Sequence, residues 1–327
     1  MKCIGRPLKQ TVAPFKSRFP WWGADLQTIR SSLYVEEGIT ETYRLAIPID
    51  GDNKISVAVN DPSEPWTGKL LLLSHGMGGT EGSGYMRRTA RYFLDRGWKV
   101  ARLNMRGAGK SAETSAPPYH AGLTGDLSAV LTGLTECEPE ADIFLMGFSL
   151  GGNLTLKYLA EGDVPENVKA AVSISAPIDL TAASAVLSKK RNALYVTYLV
   201  NQLKRDLKKA PSVMAPDALE KIRFIRELDD QLIAPSFSFK DRFDYYEQMS
   251  AGQFMHRIKT PTLAIHSEDD PWIPYETYLK AVKNDHPFVS ILLTEAGGHV
   301  GFFGKGSKIN WFIPVAYDYF ISESATS

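Results

Sequence analysis

The sequence predicts an α/β fold: a mostly parallel sheet of the eight-stranded type, flanked by helices, with a helical lid inserted between late strands. Three observations carry this expectation. Apolar, β-branched runs alternate with helix-like stretches through the middle of the chain, the rhythm of strands joined by crossover helices. These runs are continuous rather than alternating, which suits strands buried on both faces. One long, late stretch is then helix-like throughout, with no strand signal.

Taken in order, Thr40–Asp61 reads as a hairpin turned at Asp50-Gly51, supplying antiparallel edge strands and including the apolar run Ile55–Val59. Central strands are expected at Lys69–Ser74, Lys99–Asn104, Asp142–Gly147, Ala170–Ser175, Thr262–Ile265 and Val289–Thr294. Helix-like stretches lie around Tyr85–Arg96, Ala121–Leu134, Leu150–Ala160, Tyr275–Lys283 and Trp311–Phe320. The rhythm changes after Pro177-Ile178-Asp179 and resumes at Pro261. Residues 1–180 and 258–327 are therefore expected to form the core, and residues 181–257 the lid. Within the lid, Ala185, Leu187, Leu194, Val196, Leu199, Val200 and Leu203 are interleaved with Lys189, Lys190, Arg191, Lys204, Arg205, Lys208 and Lys209. The plain reading is an apolar face on the core and a basic face in water. The sharper one is an interfacial helix that guides acyl-lipid substrates.

Composition excludes several classes. With 327 residues, 44% hydrophobic and 23% charged, the chain is ordinary and globular, not disordered or coiled-coil. A chain this long buries roughly three quarters of its unfolded surface, so no metal or disulfide is needed for stability. Lys+Arg and Asp+Glu both number 37, so no bulk field favours nucleic acid or an anionic membrane. The cysteines, Cys3 and Cys137, form no disulfide framework and fit a reducing cytoplasm. No run approaches the roughly 18 apolar residues of a membrane span, and Met1–Lys16 lacks the apolar region of a secretory signal. A soluble cytoplasmic protein is expected.

The strongest local signal is Gly147-Phe148-Ser149-Leu150-Gly151-Gly152, preceded by a strand and followed by a helix. That is the context of a nucleophile elbow, in which small flanking residues let a strained turn expose the serine hydroxyl. A serine needs a base. In the order typical of such elbows the base comes last, which selects His299 in the loop Glu295–Gly301. His266, inside an apolar strand, reads as core, and His286, beside Pro287, as a surface turn. The base needs an orienting carboxylate. Asp270, at the turn set by Pro271 and Pro274, is the first choice, and Asp269 stays open as the alternative. For the developing oxyanion the loop Ser74–Thr80 offers the Met77 backbone N–H, and the Leu150 N–H follows the serine. His75 is expected to buttress that loop.

Rival motifs fail. Gly76-x-Gly78 lacks the third glycine of a dinucleotide fingerprint, where Glu81 stands, and Gly109-Lys110-Ser111 lacks the first glycine of a P-loop, where Asn104 stands. With no H-E-x-x-H and no C-x-x-C, neither metal nor cofactor is expected.

Further segments join the elbow: Trp22-Gly23-Ala24-Asp25-Leu26-Gln27-Thr28-Ile29, His75-Gly76 with Ser83-Gly84-Tyr85, Asn104-Met105-Arg106-Gly107, Tyr119-His120-Ala121-Gly122-Leu123-Thr124-Gly125-Asp126, Phe243-Asp244-Tyr245-Tyr246, Asp269-Asp270-Pro271, and Gly297-Gly298-His299 with Gly301-Phe302. Together they resemble the YheT-like branch of the α/β-hydrolase superfamily. One departure is Asp25, where relatives usually carry histidine, outside the catalytic set. The resemblance implies a serine hydrolase acting on short- to medium-chain acyl esters. Its eukaryotic relatives include membrane-anchored lipases and phospholipases, and some fungal members transfer acyl groups to alcohols. Lacking an N-terminal anchor, this chain is expected to be a soluble, bacterial-type enzyme. An acyltransferase on the same site, a lipase or phospholipase acting on acyl-lipids, and a non-catalytic binding protein of the same fold are the alternatives.

Overall fold

In the computed structural model, which describes residues 1–33, 37–116, 118–209 and 213–324, everything hangs on one sheet. Its strands are β1 (Lys2–Gly5), β2 (Tyr43–Pro48), β3 (Lys54–Asn60), β4 (Lys69–Ser74), β5 (Lys99–Leu103), β6 (Asp142–Phe148), β7 (Val168–Ile174), β8 (Thr262–Ser267) and β9 (Val289–Thr294). The nine-stranded order is β1-β9-β8-β7-β6-β4-β5-β3-β2. Strands β4 to β9 run parallel, while β2 and β3 form the antiparallel hairpin and β3 pairs antiparallel with β5. After β5 the chain crosses back to the other side of β4, so β4 and β6 flank the point where strand order reverses. Ligands of open α/β sheets bind beyond the carboxyl ends of the strands at such a point.

The parallel strands read as unbroken apolar runs because both faces are covered. Leu70, Leu72, Ile143 and Leu145 pack with α3 (Thr124–Cys137) and α4 (Leu150–Glu161). Leu71, Leu73, Phe144 and Met146 pack with α2 (Gly84–Leu94) and the C-terminal α11 (Phe312–Ser324). The ninth strand, β1, is additional to the expected set. It pairs antiparallel with β9, and its four residues, Lys-Cys-Ile-Gly, carry no apolar run to reveal it. Helix α1 (Ala24–Leu33) likewise has no strong periodic signal.

Two expected helices differ. The first starts at Thr124 rather than Ala121, because Ala121 is held in a loop: its N–H donates to the Tyr245 hydroxyl and its carbonyl accepts from Asn153. The stretch at Tyr275–Lys283 is instead a 3₁₀ segment of six residues, Tyr275–Lys280, too short for cooperative α-helix. Its Tyr278 side chain is buried, with the hydroxyl 2.7 Å from the Ala176 carbonyl.

Between β7 and β8 the chain is helical, from α5 (Leu180–Leu187) and α6 (Ala193–Leu207) through α7 (Pro216–Lys221), α8 (Ile225–Leu228), α9 (Ala234–Ser236) and α10 (Arg242–Met249) to a 3₁₀ turn at Met255–Arg257. Residues 210–212 of this stretch lie outside the described residues. Much of its apolar surface is spent on itself: Val196, Leu199, Val200, Leu203 and Leu207 of α6 pack against Leu219, Ile222, Ile225 and Leu228. Leu194, expected on the apolar face, is 86% exposed, since residues two apart on a helix face different sides. Lys204, expected in water, is buried on the packed stripe and donates to the Glu220 carbonyl at 2.9 Å.

The sheet core sets the stability. Phe144 of β6 is fully buried, 4.7 Å from the Trp98 ring and 5.1 Å from that of Phe320. Phe144→Ala should lower the unfolding free energy by about 3–5 kcal/mol, read from the urea midpoint.

Candidate active site

The turn between β6 and α4 is built by close approach. Ser149 takes φ +50° and ψ −118°, a region non-glycine residues rarely occupy. A Cβ on Gly147 would stand 2.3 Å from the Gly151 carbonyl oxygen, and one on Gly151 would stand 2.4 Å from that of Ser74. Backbone cannot yield at those distances. Glycine is required on both sides, and the serine Oγ is turned outward above the sheet.

The structure brings together the residues singled out from sequence. The Ser149 hydroxyl lies 2.9 Å from His299 Nε2, and His299 Nδ1 lies 2.8 Å from Asp270 Oδ2. The Nδ1–H donates to the carboxylate, which leaves Nε2 free to accept from the serine. Asp270 Oδ1 accepts from the backbone N–H groups of Trp272 and Ile273 at 2.8 and 3.1 Å. Burial raises this carboxyl, but the His299 imidazole, a second contribution from His266 and the Trp272 N–H outweigh it and hold it below its usual range. Asp269 also reaches the histidine loop, though at its backbone: Oδ1 accepts from the Gly298 N–H at 2.9 Å. Adjacent residues thus serve one loop from two sides, one gripping the main chain and one the ring.

That loop is itself strained, with φ +59° at Gly298, +56° at Val300 and +51° at Phe302. It persists because neighbours over-determine it. Thr28 Oγ1 accepts from the His299 N–H at 2.9 Å, Ser175 Oγ accepts from Val300 at 3.2 Å, and Gln27 Oε1 accepts from Phe303 at 2.7 Å. The segment around Leu26-Gln27-Thr28, read as lying outside the catalytic set, therefore folds as α1 and grips the loop carrying His299. Nothing in residue spacing announces that role. The Trp272 ring packs on the imidazole with centroids 4.2 Å apart.

The loop after β4 lies beside the elbow because Ser74 pairs with Gly147. Its amides divide by partner. The Gly76 N–H donates to the Tyr85 hydroxyl at 2.9 Å and the Gly78 N–H to the Tyr119 hydroxyl at 2.7 Å. Among the described residues, the Met77 and Leu150 N–H groups have no acceptor. Tyr85 and Tyr119 were legible only as members of longer motifs. His75 holds the loop from below: Nδ1–H donates to the Gly76 carbonyl at 2.8 Å and Nε2 accepts from the Met105 N–H at 3.0 Å. Burial pushes its pKa down to about 4, so it is neutral at pH 7.

His266 is buried, stacked on Tyr278 with centroids 4.5 Å apart, and burial pushes its pKa down to about 4. His286 is buried rather than on the surface, because its Nδ1 accepts from the Val289 N–H at 3.0 Å and draws the ring into the turn.

Two cavities meet at the serine. One, of about 130 Å³, runs along Gly76–Gly79, Tyr85 and Gln202; the other, of about 60 Å³, is mainly apolar, with Leu150, Leu180, Leu187 and Ile225 in its wall. Met77, Leu199 and Trp272 line both. Among the described residues no group of three His, Cys, Asp or Glu side chains is placed to hold a metal ion. No helix there is long and apolar enough to cross a membrane.

A sheet of this order, with a serine held at positive φ beside its switch point, is the architecture of the α/β hydrolases. The family model described as serine aminopeptidase, S33, matches residues 67–287. The putative esterase YheT of Escherichia coli (strain K12) is 35% identical over 289 residues, 85% of this chain and 84% of that one. The monoacylglycerol lipase of Saccharomyces cerevisiae is 29% identical over 255 residues, 74% of this chain but 57% of its own length. A Pyrococcus furiosus esterase structure, Pf2001, superposes with TM-score 0.58 at 18% identity, covering 86% of this chain and 92% of that one; this likeness concerns fold alone. The chain belongs to the α/β-hydrolase family of serine hydrolases, in its YheT-like branch, a group with esterase and lipase members.

Thr28→Val removes the acceptor of a buried backbone N–H while keeping a similar shape. It should cost about 1–3 kcal/mol in urea unfolding. It should also lower kcat on an ester more than it raises KM, because the loop carries the imidazole.

Proposed function

We propose that the protein is a carboxylic-ester hydrolase acting on short- to medium-chain acyl esters through an acyl-enzyme. The observation that carries this reading is the continuous chain from the Ser149 hydroxyl through His299 to Asp270, at 2.9 and 2.8 Å. Ser149 Oγ attacks the ester carbonyl while His299 Nε2 takes its proton. The Met77 and Leu150 N–H groups, unpaired and flanking the serine, receive the oxyanion, and the N-terminus of α4 favours the same charge. His299 then returns the proton to the departing alkoxide, and the alcohol leaves. Water, deprotonated by the same imidazole, attacks the acyl-enzyme and releases the acid. The Asp270 carboxylate stabilises the imidazolium in both halves. The smaller, apolar cavity suits the acyl chain and the larger, more polar one the alcohol.

A second reading, a lipase for monoacylglycerol-like esters, is favoured by exposed apolar side chains near the entrance. Leu194 and Tyr198 of α6 line an open groove of about 450 Å³ against Asp25 and Ile29 of α1, and the groove shares Trp272 with the site. The yeast relative bears that name. Cys3 and Cys137 are free thiols, which supports a reducing, cytoplasmic setting.

With p-nitrophenyl butyrate as substrate, Ser149→Ala should lower kcat by about four to six orders of magnitude. Turnover that persists in this variant overturns the reading. Asp270→Asn should cost on the order of 10⁴-fold and Asp269→Asn far less. The reverse ranking would transfer the orienting role to Asp269. Adding ethanol and analysing products separates hydrolysis from acyl transfer: free acid should dominate.

A further inference from the structure

Taking the apolar cavity as the acyl site, which rests on the reading above, we propose that Asp229 makes it selective for acyl chains bearing a hydroxyl, so that hydroxyacyl esters are the preferred substrates. Asp229 is buried and is the one carboxylate among the described residues lining this cavity. A carboxylate set among leucine and isoleucine side chains is costly unless something bonds to it.

Its bonding is half complete. Oδ2 accepts from the Tyr246 hydroxyl, which also lies 3.2 Å from Ser184 Oγ and so fixes the carboxyl's orientation. Oδ1 has no partner among the described residues. Tyr245, in the same wall, accepts from the Ala121 N–H at 3.1 Å, and its own proton has no acceptor among the described residues. The residues lining the cavity therefore include an open acceptor and an open donor, the complement of an alcohol, which gives one proton and accepts another.

The backbone supports the same conclusion. Asp229 opens a π-helical turn, Asp229–Ile233, and such widened turns recur at functional sites. The nearest charges, Asp230 and Arg242, are paired with each other, so neither neutralises Asp229. Burial pushes the Asp229 carboxyl up to about 7, against the Tyr246 hydrogen bond. Near neutrality it is shared between acid and anion, and either form bonds a hydroxyl. An ammonium group fits worse: it needs three acceptors, and the apolar wall does not supply them. An unsubstituted chain fits worse too, because it covers Oδ1 without giving it a partner.

The test uses matched p-nitrophenyl esters of graded length, with the hydroxyl walked along the chain, each compared with its unsubstituted parent. At the best position, wild-type kcat/KM should favour the hydroxylated ester by at least about tenfold. Asp229→Leu should bring that ratio to one or below, and Tyr246→Phe should reduce it. A wild-type ratio at or below one at every position overturns the proposal without recourse to any variant. A preference for the amino-substituted over the hydroxylated chain overturns the ligand class. If the parent esters are cleaved by wild type and not by Ser149→Ala, the esterase reading stands whatever the ratio. Turnover that survives Ser149→Ala removes the reading on which the proposal rests.

Discussion

The structure depends on a backbone collision narrowly avoided at the end of β6. The chain must turn from strand to helix within one residue, beside the carbonyl of Ser74 on β4. Only glycine at 147 and 151 leaves room for that turn. The price is the positive φ of Ser149, and the surrounding bonds hold it in place. The Ser149 N–H donates to the Ile174 carbonyl on β7 at 2.8 Å, while its own carbonyl accepts from Gly152 at 2.8 Å and Asn153 at 3.1 Å. With the main chain tied to a strand on one side and a helix on the other, the side chain has one way to point. The Met77 amide comes to lie nearby, because the loop after β4 is carried to the same rim by strand pairing.

The histidine loop is held by a second constraint of the same kind. Its strained residues cannot hold their own conformation, so the bracing comes from parts distant in sequence. Gln27 and Thr28 bond it from α1, Ser175 from the end of β7, and Ser267 and Asp269 from the end of β8. Five side chains on three elements brace the loop that carries one imidazole, and their bonds go to its main chain. The N-terminal segment therefore belongs to the site in a mechanical sense.

The helical insertion works differently. Its α6 supplies Leu199 to both cavities and Tyr198 and Gln202 to the larger one, while Val196, Val200, Leu203 and Leu207 pack on its own small core. Its link to α1 is polar and exposed: Arg191 and Tyr195 bond Asp25 at 3.0 and 2.8 Å. Exposed pairs of this sort contribute little to stability. Asp25 is thus the α1 partner of the insertion, while its neighbours Gln27 and Thr28 face inward to the loop.

The sequence by itself determined the strand-and-helix rhythm, the elbow and the choice of Ser149, Asp270 and His299, which the fold brings side by side. These rest on local physics: apolar periodicity, the room glycine leaves, and prolines that end strands. Even the preference for Asp270 over Asp269 followed from the turn at Pro271, although both side chains prove to serve the same loop. Tertiary structure alone decided the rest. That β1 joins the sheet, that α1 braces His299, that Lys204 is buried while Leu194 is not, and that Asp229 lines the apolar cavity all depend on contacts between residues far apart in the chain. Such contacts are set by how the layers close over one another, and no local pattern of residue types encodes that closure.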